Sequence, residues 1–239
     1  MVWRAFNLGI THFDLTNHCG PPPGLVHQMA IGRITSAPPG ITPSRDATRM
    51  SERRETASSF GQAPAVTARP PGYPAELEQI LTLRDGRPVF VRPVIPADEL
   101  AFEREWREAD PETLYQRFFT PQPKLDPRRL HALLHVDYQC RLALVAFAED
   151  GRAVGIARYE GVPGQEPAEI AFVVNPAWRR LGLASALLRL LTEAARARGI
   201  RRLVALYLED NQAMAALLAG AGFGPPQVNA GVAVTEKAL

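Results

Sequence analysis

The run Val173-Val174-Asn175-Pro176-Ala177-Trp178-Arg179-Arg180-Leu181-Gly182-Leu183-Ala184-Ser185 constrains this chain more than any other feature. A buried strand must end at Pro176, turn tightly, and enter a helix near Leu181. From there Leu183, Leu187, Leu190, Leu191 and Ala194 recur at helical spacing on one face as far as Arg198. Gly199 then closes the helix. The first turn of such a helix has N–H groups without intrahelical partners, and its macrodipole adds partial positive charge. A pyrophosphate fits there. Gly182 and the small Ala184 let phosphates approach the backbone, while Arg179 and Arg180 add charge. From these residues alone the segment is either such a phosphate nest or a plain strand–loop–helix connection with solvated arginines.

Regular elements surround it from about Leu81 to Leu239. Val89 to Pro93 reads as a strand, and Pro96 to Glu99 opens a helix carrying Leu100, Phe102 and Trp106. Asp98 and Glu99 suit the positive end of that helix's dipole. A second short helix begins at Pro111, and a third runs from about Asp126 to Leu134. Arg141 to Ala148 and Ala153 to Tyr159 form two strands joined by Glu149-Asp150-Gly151-Arg152, whose Asp-Gly pair signals a hairpin. Strands follow at Ala168–Val174, Leu203–Leu208 and Val232–Thr235, with a helix at Asn211–Ala219. The expected fold is α/β (α+β): a mixed, mostly antiparallel sheet with helices on both faces.

Ahead of this domain the texture differs. Pro21-Pro22-Pro23-Gly24, Pro38-Pro39-Gly40 and Pro70-Pro71-Gly72-Tyr73-Pro74 punctuate a stretch whose apolar residues are sparse and aperiodic. Such a stretch cannot bury enough surface to offset its conformational entropy. Residues 1–75 are therefore expected to be a low-order N-terminal extension. A net charge of +2 gives no basic field of the kind nucleic-acid binders carry. No run approaches the roughly 18 apolar residues of a membrane span. Cys19 and Cys140 lie far apart and indicate neither a disulfide framework nor a zinc site; Cys140 reads as a packed core cysteine. His131 and His135 are four apart on a helix but lack a third ligand, so no metal is expected. The default compartment is the cytoplasm.

Arg179-x-x-Gly182-x-Ala184 resembles the acyl-CoA signature of GNAT-type N-acetyltransferases, on the strand–turn–helix where that family carries it. Asp210-Asn211-Gln212-Ala213-Met214 through Gly222-Phe223 is similar to the family's second motif. The resemblance covers nearly all of the segment from Leu81 onward. It implies acetyl-CoA as acyl donor, held by Arg179, Arg180, Leu181, Gly182, Leu183, Ala184 and Ser185 at the phosphates. It also implies a strand that splays from its neighbour, so that the backbone of Val173 and Val174, with Asn211, meets the pantetheine arm. Leu114-Tyr115-Gln116-Arg117-Phe118-Phe119, Val91-Arg92-Pro93-Val94 and Ala168-Glu169-Ile170-Ala171 together look like the bacterial Pat-type protein lysine acetyltransferases. A separate stretch, residues 3–34, holds Gly9-Ile10-Thr11-His12-Phe13-Asp14 and Asn17-His18-Cys19-Gly20-Pro21-Pro22. It resembles a truncated aldo-keto reductase, with Cys19 where the catalytic tyrosine belongs, and reads as a fusion relic or a mis-called start.

The Pat likeness implies Glu169 as general base for an amine acceptor. It also implies a protein lysine as that acceptor, an acyl-CoA synthetase being one such protein, and puts Tyr115 and Arg117 beside the acceptor channel. A small-molecule amine, or a non-catalytic acyl-CoA-binding module, stands as the alternative. The family's usual tyrosine acid, in the helix after Asn211, is Leu218 here; Tyr115 or water would have to substitute.

Overall fold

The computed structural model describes residues 68–162 and 165–239. Most of the expected extension, including the reductase-like stretch, lies outside the described residues. Tyr73 and Pro74, assigned to that extension from sequence, instead pack on the domain. Tyr73 meets Tyr138 edge-on with ring centroids 5.7 Å apart, and Pro74 is buried.

Among the described residues eight strands form one sheet: β1 (Gln79–Thr82), β2 (Pro88–Pro93), β3 (Arg141–Phe147), β4 (Ala153–Val162), β5 (Gln165–Val174), β6 (Arg202–Leu208), β7 (Gln227–Asn229) and β8 (Val232–Ala238). Their spatial order is β1-β2-β3-β4-β5-β6-β8-β7. Every pairing is antiparallel except β5 with β6. The central strand β3 is buried from Leu142 to Phe147, so its run of apolar residues needs no alternation. The Asp-Gly turn forms as expected, with the Gly151 N–H donating to the Ala148 carbonyl at 3.0 Å and Gly151 at φ +78°. Two strands had no visible signal. β7 is exposed throughout and begins just after Pro225-Pro226, and β1 lies ahead of the first expected strand.

Among the described residues five α-helices cover both faces: α1 (Glu99–Glu108), α2 (Pro111–Phe118), α3 (Pro127–Leu134), α4 (Leu183–Ala197) and α5 (Gln212–Gly220). The leucine stripe of α4 is buried against the sheet together with Leu218 of α5. Each such leucine contributes about 1.5–3 kcal/mol, so packing rather than propensity holds α4 in place. A Cβ on Gly155 would stand 3.1 Å from Leu183 Cδ2, so this glycine lets the start of α4 close onto β4. On the other face, α3 sets Leu130 and Leu134 against Val94, Ala143, Val145 and Phe147. Asp110 and Asp126 cap α2 and α3 by accepting the N–H of Thr113 at 2.8 Å and of Arg128 at 2.9 Å.

Asp98 stands at the N-terminus of α1, as expected, and is also fully buried, accepting from both Nη atoms of Arg92 at 2.9 and 2.6 Å. One assignment changes. Cys140, read as a core cysteine, is only half-buried and is not a free thiol. No helix among the described residues is long and apolar enough to cross a membrane.

Candidate active site

The parallel pairing of β5 with β6 runs from Ala168↔Leu203 through Glu169↔Val204 to Ile170↔Ala205 and stops there. β5 continues to Val174 and β6 to Leu208, so the two strands part over four residues, about 13 Å at roughly 3.3 Å each. Through the splay Val173 and Val174 keep their β4 partners, Ile156 and Gly155, but have none on the β6 side. That edge offers backbone N–H and C=O groups to a polar, extended ligand. One of them, the Val174 carbonyl, accepts Arg179 Nε at 3.1 Å.

At the open end of the splay stands the N-terminus of α4. Asn175 caps the turn by accepting the Ala177 N–H at 3.1 Å, and Arg180 adopts φ +62°. Gly182 sits at φ +91°, a conformation open to glycine and costly for other residues. No side chain caps α4, and its first intrahelical donor is Ala186, to the Gly182 carbonyl at 3.0 Å. The N–H groups of Leu183, Ala184 and Ser185 precede that bond and point out of the helix end. The nest, the small Ala184 and the splayed edge fit a pyrophosphate followed by an extended amide-bearing arm.

The closed end holds a buried carboxylate and an arginine. Glu169 is 6% exposed, lies opposite Glu160 on β4, and borders a small cleft with Ile170, Phe172, Ala205, Tyr207 and Met214. On the same face Arg158 is ion-paired with Glu160. Arg117 reaches over this face from α2 and borders the cleft as well. Burial pushes the Arg117 guanidinium down to about 10; Arg158 adds to the fall, while Glu169 and Glu160 oppose it. It therefore stays charged at neutral pH. A second hollow of about 440 Å³ continues from Arg117 under α1, α2 and α3. Its apolar wall includes Phe102, Trp106, Leu114, Phe118 and Leu133.

The family model described as the acetyltransferase (GNAT) family matches residues 101–223, half of the chain and all of this site. This chain belongs to the GNAT acetyltransferases. It is 33% identical over 145 residues to Acetyltransferase PA5475 of Pseudomonas aeruginosa, covering 59% of this chain and 78% of that protein. It is 32% identical over 159 residues to Acetyltransferase Pat of Mycolicibacterium smegmatis, covering 64% of this chain and 46% of Pat. The chain thus spans about half the length of that relative. The GNAT domain of S. lividans PAT superposes with a TM-score of 0.65 at 34% identity, covering 70% of this chain and 99% of that domain. As a GNAT enzyme, the chain is an N-acetyltransferase dependent on acetyl-CoA.

The residues expected at the site do not all converge. Glu169 and Arg117 meet at the closed end, and Gly182 to Ser185 form the nest. Tyr115 is 38% exposed on α2 and borders neither hollow, so it does not replace the missing tyrosine. Leu218 is buried in the core under α5 and has no proton to give. Arg179 is turned back, donating to the Val174 carbonyl and to Thr113 Oγ1. Asn211 spends its carbonyl oxygen on the α5 cap, accepting the Met214 N–H at 3.0 Å, and keeps its NH2 for another partner. Sequence reasoning missed Arg158, Glu160 and Tyr207. Only the alternation of β4 could have flagged the first two, since Ile156, Arg158 and Glu160 share a face. His131 and His135 stack at 3.7 Å, and among the described residues no cluster of three ligands could hold a metal.

Proposed function

We propose that this GNAT enzyme acetylates a lysine side chain of an acceptor protein, in the cytoplasm, with Glu169 as general base. The observation that carries this is the place of Glu169, a buried carboxylate where the β5–β6 splay closes and the acyl end of an extended donor would stop. The likeness to Pat proteins supports the lysine.

A lysine amine, with a free pKa of about 10.4, must lose a proton before it can attack. Glu169 takes that proton directly or through one water. The amine nitrogen then bonds to the thioester carbonyl carbon, the carbon–sulfur bond breaks, and CoA leaves as a thiolate that needs a proton. Tyr207 also borders the cleft at Glu169, and we assign it the role that Leu218 cannot take. Arg117 stands charged beside Glu169 and Glu160, where it faces the acceptor as it enters.

The apolar hollow beneath α1 to α3 favours a second reading, a small amine with an apolar body, because its volume suits a small molecule. Incubation with labelled acetyl-CoA, cell lysate and a panel of amines separates the two. Acetyl-lysines that appear with wild type and vanish with Glu169→Gln support the protein acceptor. Faster turnover of a small amine than of any protein would replace it with the second reading.

A further inference from the structure

The turn between β1 and β2 lies against the acyl-CoA loop, although about 90 residues of chain separate them. It is a closed turn, with the Leu83 N–H donating to the Arg87 carbonyl at 2.9 Å and Gly86 N–H to the Leu83 carbonyl at 3.0 Å. Three contacts dock it. Arg84 N–H donates to the Leu181 carbonyl at 3.1 Å, Arg87 Nη2 donates to the Ala177 carbonyl at 3.2 Å, and the Arg87 guanidinium stacks 4.0 Å over the Trp178 ring.

The turn's acid is committed within the turn. Asp85 accepts Arg87 Nε at 2.6 Å and the Arg87 N–H at 3.2 Å. Arg84 forms no ion pair among the described residues. Its side chain lies over Gly182, with Nε and Cγ 3.7 and 3.8 Å from where a Cβ on that glycine would stand. Arg179, the arginine of the family signature, is meanwhile occupied by Val174 and Thr113.

We propose that Arg84 binds the CoA pyrophosphate, supplying charge from the β1–β2 turn where Arg179 has its Nε and Nη2 engaged by Val174 and Thr113. This rests on the acyl-CoA reading of the loop. An arginine beside a pyrophosphate donates charge-assisted, often paired hydrogen bonds. The bond that docks the turn here is main-chain, so changing the Arg84 side chain leaves the turn in place.

The test is calorimetric binding of CoA and of 3′-dephospho-CoA to the full chain. Arg84→Gln should raise the Kd for both ligands about tenfold and flatten the salt dependence by about one ionic contact, with ligand-free Tm unchanged. Arg84→Lys should recover part of the loss, since it restores the charge without the fork. Equal CoA affinity in wild type and Arg84→Gln overturns the proposal, as does a loss accompanied by a lower ligand-free Tm. A loss seen with CoA but absent with 3′-dephospho-CoA overturns the assignment to the pyrophosphate. Wild type that binds no CoA overturns the acyl-CoA reading itself and this inference with it, and only that outcome shows in the wild type.

Discussion

Two groups of arginines and carboxylates sit on the sheet, built from the same chemistry and put to different ends. Arg92 and Asp98 are fully buried and closed on each other. Asp98 also accepts the Ile95 N–H at 2.9 Å, while Arg92 donates to the Pro93 carbonyl at 2.9 Å and lies 4.6 Å over the Phe147 ring. Neither residue borders the cleft at Glu169 or the hollow beneath α1 to α3. The second group, Arg117, Arg158, Glu160 and Glu169, is spread over α2, β4 and β5 and opens onto hollows: Glu169 and Arg117 border the small cleft, and Arg117, Arg158 and Glu160 the apolar hollow beside it. A carboxylate enclosed by a bidentate arginine has no room for a substrate's proton, whereas one at the edge of a cleft can trade protons with what enters. Burial and charge pairing alone do not mark a site; access does.

That contrast can be broken by mutation. Glu169→Gln should lower kcat by about 10²–10⁴ with little change in Tm, because it removes a proton acceptor and keeps the shape. Full kcat at neutral pH would remove Glu169 from the mechanism. Asp98→Ala should do the reverse, costing about 3–5 kcal/mol in urea denaturation by stranding a buried guanidinium. The KM of the enzyme that stays folded should not move, and a loss under about 1 kcal/mol would show that the pair does not hold β2 to the start of α1. Tyr207→Phe should reduce kcat about tenfold with unchanged acetyl-CoA affinity, a smaller loss because a thiolate leaves readily even without help.

The smallest effect belongs to Asp110, which lines the apolar hollow. Its carboxylate accepts from Thr113 Oγ1, which in turn accepts from Arg179. The Thr113 hydroxyl, against some desolvation, holds the Asp110 carboxyl below its ordinary value, with the Thr113 N–H and Arg179 adding to the effect. A depressed folded value means that the stabilisation is present above the unfolded value of about 3.9 and is lost as pH falls through the folded one. Asp110→Ala should cost about 1 kcal/mol at pH 7, measured by denaturation. The gap to wild type should narrow below about pH 4; a gap that is constant to low pH would show that the charge of Asp110 contributes nothing.

Much of the fold could be read from short-range signals. The hairpin turn at Asp150-Gly151, the helix starts at Pro111 and near Asp126, the stripe of α4 and the glycine after it each act within a few residues, and each is found where expected. β7 escaped because a fully exposed edge strand has no burial pattern to display. Asp98 stands at its helix start as read, but its ion-pair partner, Arg92, comes from the strand before and left no local signal. Within the site, Glu169 and the α4 nest were legible, but Tyr115 was placed in the channel by likeness and faces outward.

The sequence by itself determined that a strand would stop at Pro176 and that a helix with an uncapped, glycine-led N-terminus would follow. Both are properties of backbone dihedrals and local hydrogen bonding. Only the tertiary structure decided who meets that nest and the strand before it. Register sets Glu160 opposite Glu169, the end of parallel pairing at Ile170↔Ala205 opens the cleft, and hairpin docking brings Arg84 over Gly182. Those partners come from distant parts of the chain, and no local signal records a neighbour that arrives only when the sheet closes.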